Sequence, residues 1–327
     1  MITIPKQFTW LKMVVTYQDT AWSEIRGRIL LAMALSSLVT YFHLEQGLFS
    51  GDTHGFTGSL THLPFSFVGL ALSIFLGFRN STSYDRFWEG RKLWGQLVNT
   101  SRSLSRQILN YVNTSQVSES ERLSQWQTQF HQYLIAYVHG LRLHLRNEDI
   151  NTLSPYVDAD EMSRLRAHRN RPNYLNLRMS NLVADAWKNG WIDTYHVPLF
   201  EERLHELSNL QGGCERIKAT PIPFVYVVLL HRLVAIYCFA LPFGIVDSVG
   251  IYTPFVVGIV SYAFMGLDAI GGSIENPFEK EPHDLPLTQL SEQIEEALQQ
   301  QQNPGLNTNP SVSPPFLEEN DDLTVVL

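Results

Sequence analysis

Leu63, Phe67, Leu70 with Ala71, and Ile74 recur at steps of three and four, which places them on one face of a helix. Ser66 and Ser73 fall on another face. None of the apolar residues can move a proton or bind a metal. What they can do is exclude water. Repeated around a symmetry axis, such a stripe becomes stacked apolar rings, and a constriction of that kind gates by dewetting. On a lone helix the same stripe is ordinary lipid-facing or packing surface, and spacing alone leaves both readings open. A second candidate is ionic. Arg232, beside His231, lies about nine residues into one apolar stretch, and Asp268 lies at a similar depth in the next. A charge at that depth is costly and by default faces protein or water with a partner. An Arg232–Asp268 pair is therefore expected, as a structural latch rather than as part of a pore.

The other reactive residue types assemble into nothing catalytic. There is no phosphate-cradling glycine loop, and His205-Glu206 lacks the second histidine of a zinc-protease helix. The two cysteines, Cys214 and Cys238, have no ligand spacing, which argues against a disulfide framework or a zinc site. Asp85, Glu89 and Arg91 are accounted for as helix-surface partners. The expectation is no catalytic residue, no metal, no cofactor and no nucleic-acid partner.

The elements that must position the stripe are visible in the charge pattern. There is no lysine or arginine between Arg28 and Arg79, and none between Arg232 and Lys280; both gaps are filled with apolar residues. Basic residues stay on the cytoplasmic side of a membrane, while short translocated loops carry few of them. The pattern thus predicts two transmembrane hairpins around a cytosolic body, with both termini cytoplasmic. The net charge of −8 misleads, because Glu281–Leu327 holds nine acidic residues and no basic one. The remainder of the chain is close to neutral.

The predicted organisation is an interfacial segment over 1–28, a first hairpin over 29–78 and a helical cytosolic domain over 79–220. A second hairpin over 221–274, a short cytosolic motif over 275–287 and an acidic, mostly disordered tail over 288–327 follow. The first span is expected from Ile29 to about His43, extended by Leu44 and Leu48–Phe49, with an external loop after Gly51. No proline occurs from Phe65 to Ser154, so one helix from His62 to about Val112 is expected, about 75 Å long. Further helices are expected at Glu119–Arg146, Asp158–Arg169 and Leu175–Gly190, with Arg171-Pro-Asn-Tyr as a break, and at Pro198–Cys214, ending near Gly212-Gly213. The third span runs to about Val246 with Pro242 inside, and the fourth covers about Tyr252–Ile274. Only Leu290–Leu298 reads as helix in the tail.

Several ordered motifs resemble the bestrophin family, in particular its bacterial branch. They are Leu63-Pro-Phe-Ser-Phe-Val-Gly, Gly77-Phe-Arg-Asn with Tyr84-Asp-Arg-Phe-Trp-Glu, Arg91-Lys-Leu-Trp-Gly and Arg171-Pro-Asn-Tyr. Cys214-Glu-Arg-Ile-Lys-Ala-Thr-Pro-Ile-Pro-Phe and Glu275-Asn-Pro-Phe-Glu with Asp284-Leu-Pro-Leu complete the set. The similarity spans about residues 5–287. It implies an all-α homopentameric channel, each subunit giving four transmembrane helices and a helical cytosolic domain. Its partners are permeant inorganic ions, membrane lipid and copies of itself.

The resemblance also implies a pore lined by the second helix, with a hydrophobic neck at Leu63, Phe67 and Leu70 or Ala71. A second constriction falls at Val197–Pro198. Animal members carry aromatic rings at the lower two neck levels, whereas here only Phe67 is aromatic. The implied function is passive conduction of chloride or other small anions. Cation selectivity, resembled by some bacterial members, is the alternative, and a non-conducting membrane scaffold is a further one. Aromatic edges favour anions, while aliphatic rings favour neither sign. In animal members the Asn276-Pro-Phe278 motif leads into a dense acidic run that clasps calcium. Here the run is Glu279-Lys-Glu-Pro-His-Asp284, a thin ligand set for a cation that wants several oxygens.

Overall fold

In the computed structural model, residues 22–46 and 62–303 are described, together with a two-residue antiparallel pairing of Ile4–Pro5 with Thr324–Val325. The expectations for the segment before Trp22, for the loop after Gly51, for Leu48–Phe49 and for most of the tail lie outside the described residues. The remaining described residues are built on nine α-helices: α1 (Trp22–Gln46), α2 (His62–Tyr111), α3 (Ser120–Arg146), α4 (Ala159–Ala167), α5 (Arg171–Lys188), α6 (Val197–Ala219), α7 (Phe224–Val249), α8 (Thr253–Ser273) and α9 (Leu287–Gln302). Three stretches are long and apolar enough to cross a membrane: Trp22–Glu45, Leu63–Tyr111 and Phe224–Ser273. The last is broken by a 3₁₀ turn at Gly250–Tyr252, where Gly250 takes a positive φ of 58°, so it supplies two helices.

The four apolar helices α1, α2, α7 and α8 share one core, which includes Ile25, Ile29, Leu72, Leu76, Leu230, Val234, Leu241 and Val257. Lipid tails are as apolar as leucine, so close backbone approach matters more than burial in holding such helices together. The sequence provides it with glycine. A Cβ on Gly244 of α7 would lie 2.2 Å from the Phe65 ring of α2, and one on Gly69 would lie 2.5 Å from the Tyr237 hydroxyl. Gly258 of α8 receives Met33 in the same way.

The polar half of the chain has its own core, built from the lower half of α2 with α3, α5, α6 and α9. Trp94, Phe130, Leu134, Tyr137, Phe200 and Ile294 are fully enclosed there. Thus α2 belongs to both cores: it is a single 50-residue helix, about 75 Å long, that ties bundle to body. Arg86 fixes the joint. Its guanidinium donates to the Ile217 carbonyl at 2.8 Å, the Glu275 carbonyl at 2.9 Å and the Thr220 carbonyl. The Ile217 and Thr220 bonds satisfy carbonyls that the end of α6 leaves without a helical partner, and the Glu275 bond reaches the chain just past α8.

Three sequence expectations are corrected in the body. Arg171-Pro-Asn-Tyr opens α5 instead of breaking a helix, since Pro172 occupies the first turn and Asn170 caps the Asn173 N–H at 3.2 Å. Helix α6 runs through Gly212-Gly213 to Ala219, because Gly213 makes room for Leu93 of α2, whose side-chain carbons would sit 3.0 Å from an added Cβ. The tail remains ordered well past Thr288. Helix α9 buries Leu287, Ser291, Ile294 and Leu298 against α2 and α3. Arg146 fastens its start through the Phe278 and Leu285 carbonyls and the Thr288 hydroxyl. Glu295 fastens its middle, accepting from Tyr156 at 2.7 Å and lying 2.9 Å from His139 Nε2.

Candidate functional site

The inward face of α2 is committed to the chain's own bundle. Leu72 and Leu76 are buried, and Gly69 lies under Tyr237. At 3.6 residues per turn the opposite face then carries Leu63, Phe67, Leu70 and Ile74. These are 54%, 71%, 62% and 50% exposed, and Ala71 beside them is exposed as well. A contiguous strip of large apolar side chains this open marks a surface that lipid or another chain covers.

The same register continues beyond the apolar stretch. Ser81, Asp85, Trp88, Lys92, Asn99, Arg106 and Asn110 lie on it, Arg102 lies at its edge, and all are exposed. Lys92 rests over the Trp88 ring with its ammonium 5.7 Å from the centroid. At the far end of α2, Tyr111 stacks on His196 at 4.9 Å. His196 immediately precedes Val197 and Pro198, which form the first turn of α6, Val197 half-buried and Pro198 exposed. The two constriction candidates thus stand at opposite ends of one helix face.

The expected Arg232–Asp268 pair does not form. Asp268 is buried, and its carboxylate is held by Arg79 Nη1 on one oxygen and His231 Nδ1 on the other. Arg79 also donates to the Asp268 carbonyl at 3.3 Å, and its Nη2 lies 4.0 Å from Glu275. The reason is helical phase. Leu230, Val234, Tyr237 and Leu241 define the bundle face of α7. Arg232 lies about 200° around the helix from Leu230 and so points away, whereas His231 flanks that face. Arg79, only 2% exposed, is the partner that sequence reasoning missed. It looks like an ordinary basic residue at a membrane exit, and nothing local reveals that it turns inward. The available signal is Gly271-Gly272 on α8, whose missing side chains leave room for Asn80 and Arg79.

Among the described residues no group of three or more histidine, cysteine or acidic side chains is arranged to hold a metal ion. In the Glu279–Asp284 run, Lys280 pairs with Glu148 at 2.6 Å, and Asp284 accepts from the Glu281 N–H at 2.8 Å. Burial, reinforced by Glu281 and Glu279, pushes the Asp284 carboxyl up to about 6 against the Glu281 hydrogen bond and Arg146. Burial likewise pushes the Cys214 thiol up to about 12, so that thiol is inert at neutral pH.

Four apolar helices, one of which carries an open apolar stripe and continues into a helical body, define an integral membrane protein. The comparisons with known proteins agree. Residues 1–300 match the family described as Bacterial/Fungal Bestrophin protein. The chain is 39% identical over 290 residues to the voltage-dependent anion channel-forming protein RSc3414 of Ralstonia nicotianae, covering 88% of this chain and 90% of that one. It is 36% identical over 297 residues to the voltage-dependent anion channel-forming protein YneE of Escherichia coli K12, covering 90% and 92%. Among solved structures, a point mutant of a bacterial bestrophin homologue from Klebsiella pneumoniae superposes with a TM-score of 0.78 at 31% identity, covering 88% of this chain and 99% of that one. The chain belongs to the bacterial bestrophins.

Proposed function

We propose that this chain is one subunit of a homopentameric, passive anion channel whose pore is lined by α2. Leu63, Phe67 and Leu70 with Ala71 form its neck, and Val197–Pro198 form a second constriction. The observation that carries this reading is the unbroken α2, whose outward face presents Phe67 at 71% exposure and continues past the apolar stretch as a polar strip in the same register. Facing lipid, the stripe explains the membrane half of the helix but not its continuation as a polar strip in the same register. Facing a shared axis, both halves line one path. The names of the relatives, as anion channel-forming proteins, support the sign of the permeant ion. Chloride is the simplest such ion. The four apolar helices cross a bacterial inner membrane with both termini in the cytoplasm, since the basic residues lie on the body side.

Cysteine cross-linking tests the arrangement. A cysteine at Phe67 should form disulfides between subunits and yield dimers on denaturing gels, whereas one at Val225, exposed on α7, should not. Cys214 and Cys238 are buried and contribute no background. Equal cross-linking at both positions, or none at Phe67, contradicts the axis assignment.

A further inference from the structure

We infer that the sign of the permeant ion is selected not in the apolar neck but by a basic strip on the polar half of α2, formed by Lys92, Arg102 and Arg106. The inference rests on the reading that α2 lines the pore. The neck offers little discrimination. Leu63, Leu70 and Ile74 are aliphatic and carry no field, and Phe67 alone presents an aromatic edge. Below the neck, the strip in register with it includes four charged residues, Asp85, Lys92, Arg102 and Arg106. Lys92, Arg102 and Arg106 are all exposed, and none forms an ion pair with a described residue. One carboxylate, Asp85, lies on the same face, near the membrane exit. Glu89, the nearest other acid on α2, is neutralised by its pair with Arg216 of α6.

Among the described residues, each subunit therefore offers three unpaired cations against one carboxylate along this face. Arg102 and Arg106 are one helical turn apart, about 6 Å, and Lys92 stands about 15 Å further up. Around a common axis they become three stacked positive rings in a walled vestibule between the neck and Val197–Pro198. A cleft lined by one sign of charge concentrates counter-ions by about tenfold to a thousandfold. The rings would fill the vestibule with anions and repel cations before either reaches the neck.

The test is a salt-gradient reversal potential on the purified, reconstituted protein and on the triple variant Lys92→Gln, Arg102→Gln, Arg106→Gln. The variant's anion-to-cation permeability ratio should fall by about tenfold, the lower end of that enrichment, with the largest loss at low ionic strength where screening is weakest. Arg102→Lys with Arg106→Lys should retain the ratio. If the triple variant does not assemble, Arg106→Cys, modified in place with an anionic thiol reagent, reads the same ratio and should lower it. An unchanged ratio in the variant that reads it, alongside a changed current in Phe67→Ala, overturns this inference and leaves the pore assignment standing. No change in either the charge variant or Phe67→Ala overturns both.

Discussion

Replacing Arg79 by methionine should cripple the fold, whereas replacing Arg232 by leucine should be nearly silent. Arg79 and Asp268 are 2% and 3% exposed, and the guanidinium grips both the carboxylate and the carbonyl of Asp268. Removing one member of a buried pair leaves the other charge uncompensated and costs about 3–5 kcal/mol. Arg79→Met leaves Asp268 with His231 alone, and Asp268→Asn leaves the arginine with only the more distant Glu275, 4.0 Å from its Nη2. The double variant removes both charges and keeps an amide for His231 to bond, so it should be more stable than either single one, with a coupling of about 1–3 kcal/mol. Arg232→Leu, on the outer face of α7, should shift stability by about 0.5 kcal/mol or less. Thermal unfolding in detergent, with size-exclusion chromatography to follow assembly, reads all four. Additive losses in the double variant, or an Arg232→Leu loss as large as that of Arg79→Met, would refute the pairing.

Leu63→Ala and Phe67→Ala each widen the apolar neck, so open probability or unitary current should rise in single-channel records; unchanged currents in both count against the neck. Gly244→Ala drives a methyl into the Phe65 ring and should cost about 1–3 kcal/mol in thermal unfolding, while Gly212→Ala, with open space around it, should not destabilise. Asp284 is held above the ordinary carboxylate range, so its stabilising contribution is full below that range and is lost as pH rises through about 6. Asp284→Asn should therefore gain about 1 kcal/mol over wild type at about pH 8 and nothing at about pH 3.5, as followed by melting temperature; the shift is discounted because solvent still reaches the group. Micromolar calcium on the cytosolic face should leave currents unchanged from those in chelator, and a reversible increase abolished by Asp284→Ala would contradict this.

The membrane helices and the length of α2 are legible because each depends on a property carried by single residues: the absence of Lys and Arg between Arg28 and Arg79 and between Arg232 and Lys280, and the absence of proline from Phe65 to Ser154. The outward stripe of α2 was legible for the same reason, since periodicity fixes which residues share a face. What faces what was not. Arg232 and Asp268 matched in depth, but depth leaves rotation free, and rotation on α7 turns Arg232 away while Arg79 arrives from 189 residues upstream. In the sequence alone, Pro172 and Gly213 look like punctuation. A proline in the first turn and a glycine beneath a neighbour's leucine have the opposite meaning, and only tertiary context separates the two. The full length of helix α9 is hidden by its polar composition, because its five inward positions find their partners only on α2 and α3.

The central claim is tested most directly by recording the purified protein in planar bilayers under a salt gradient. Discrete single-channel currents are expected, with a reversal potential that lies toward the anion equilibrium potential and moves toward zero when Lys92, Arg102 and Arg106 are neutralised. A bilayer that stays silent with correctly assembled protein, or a reversal potential at the cation equilibrium value, would contradict it.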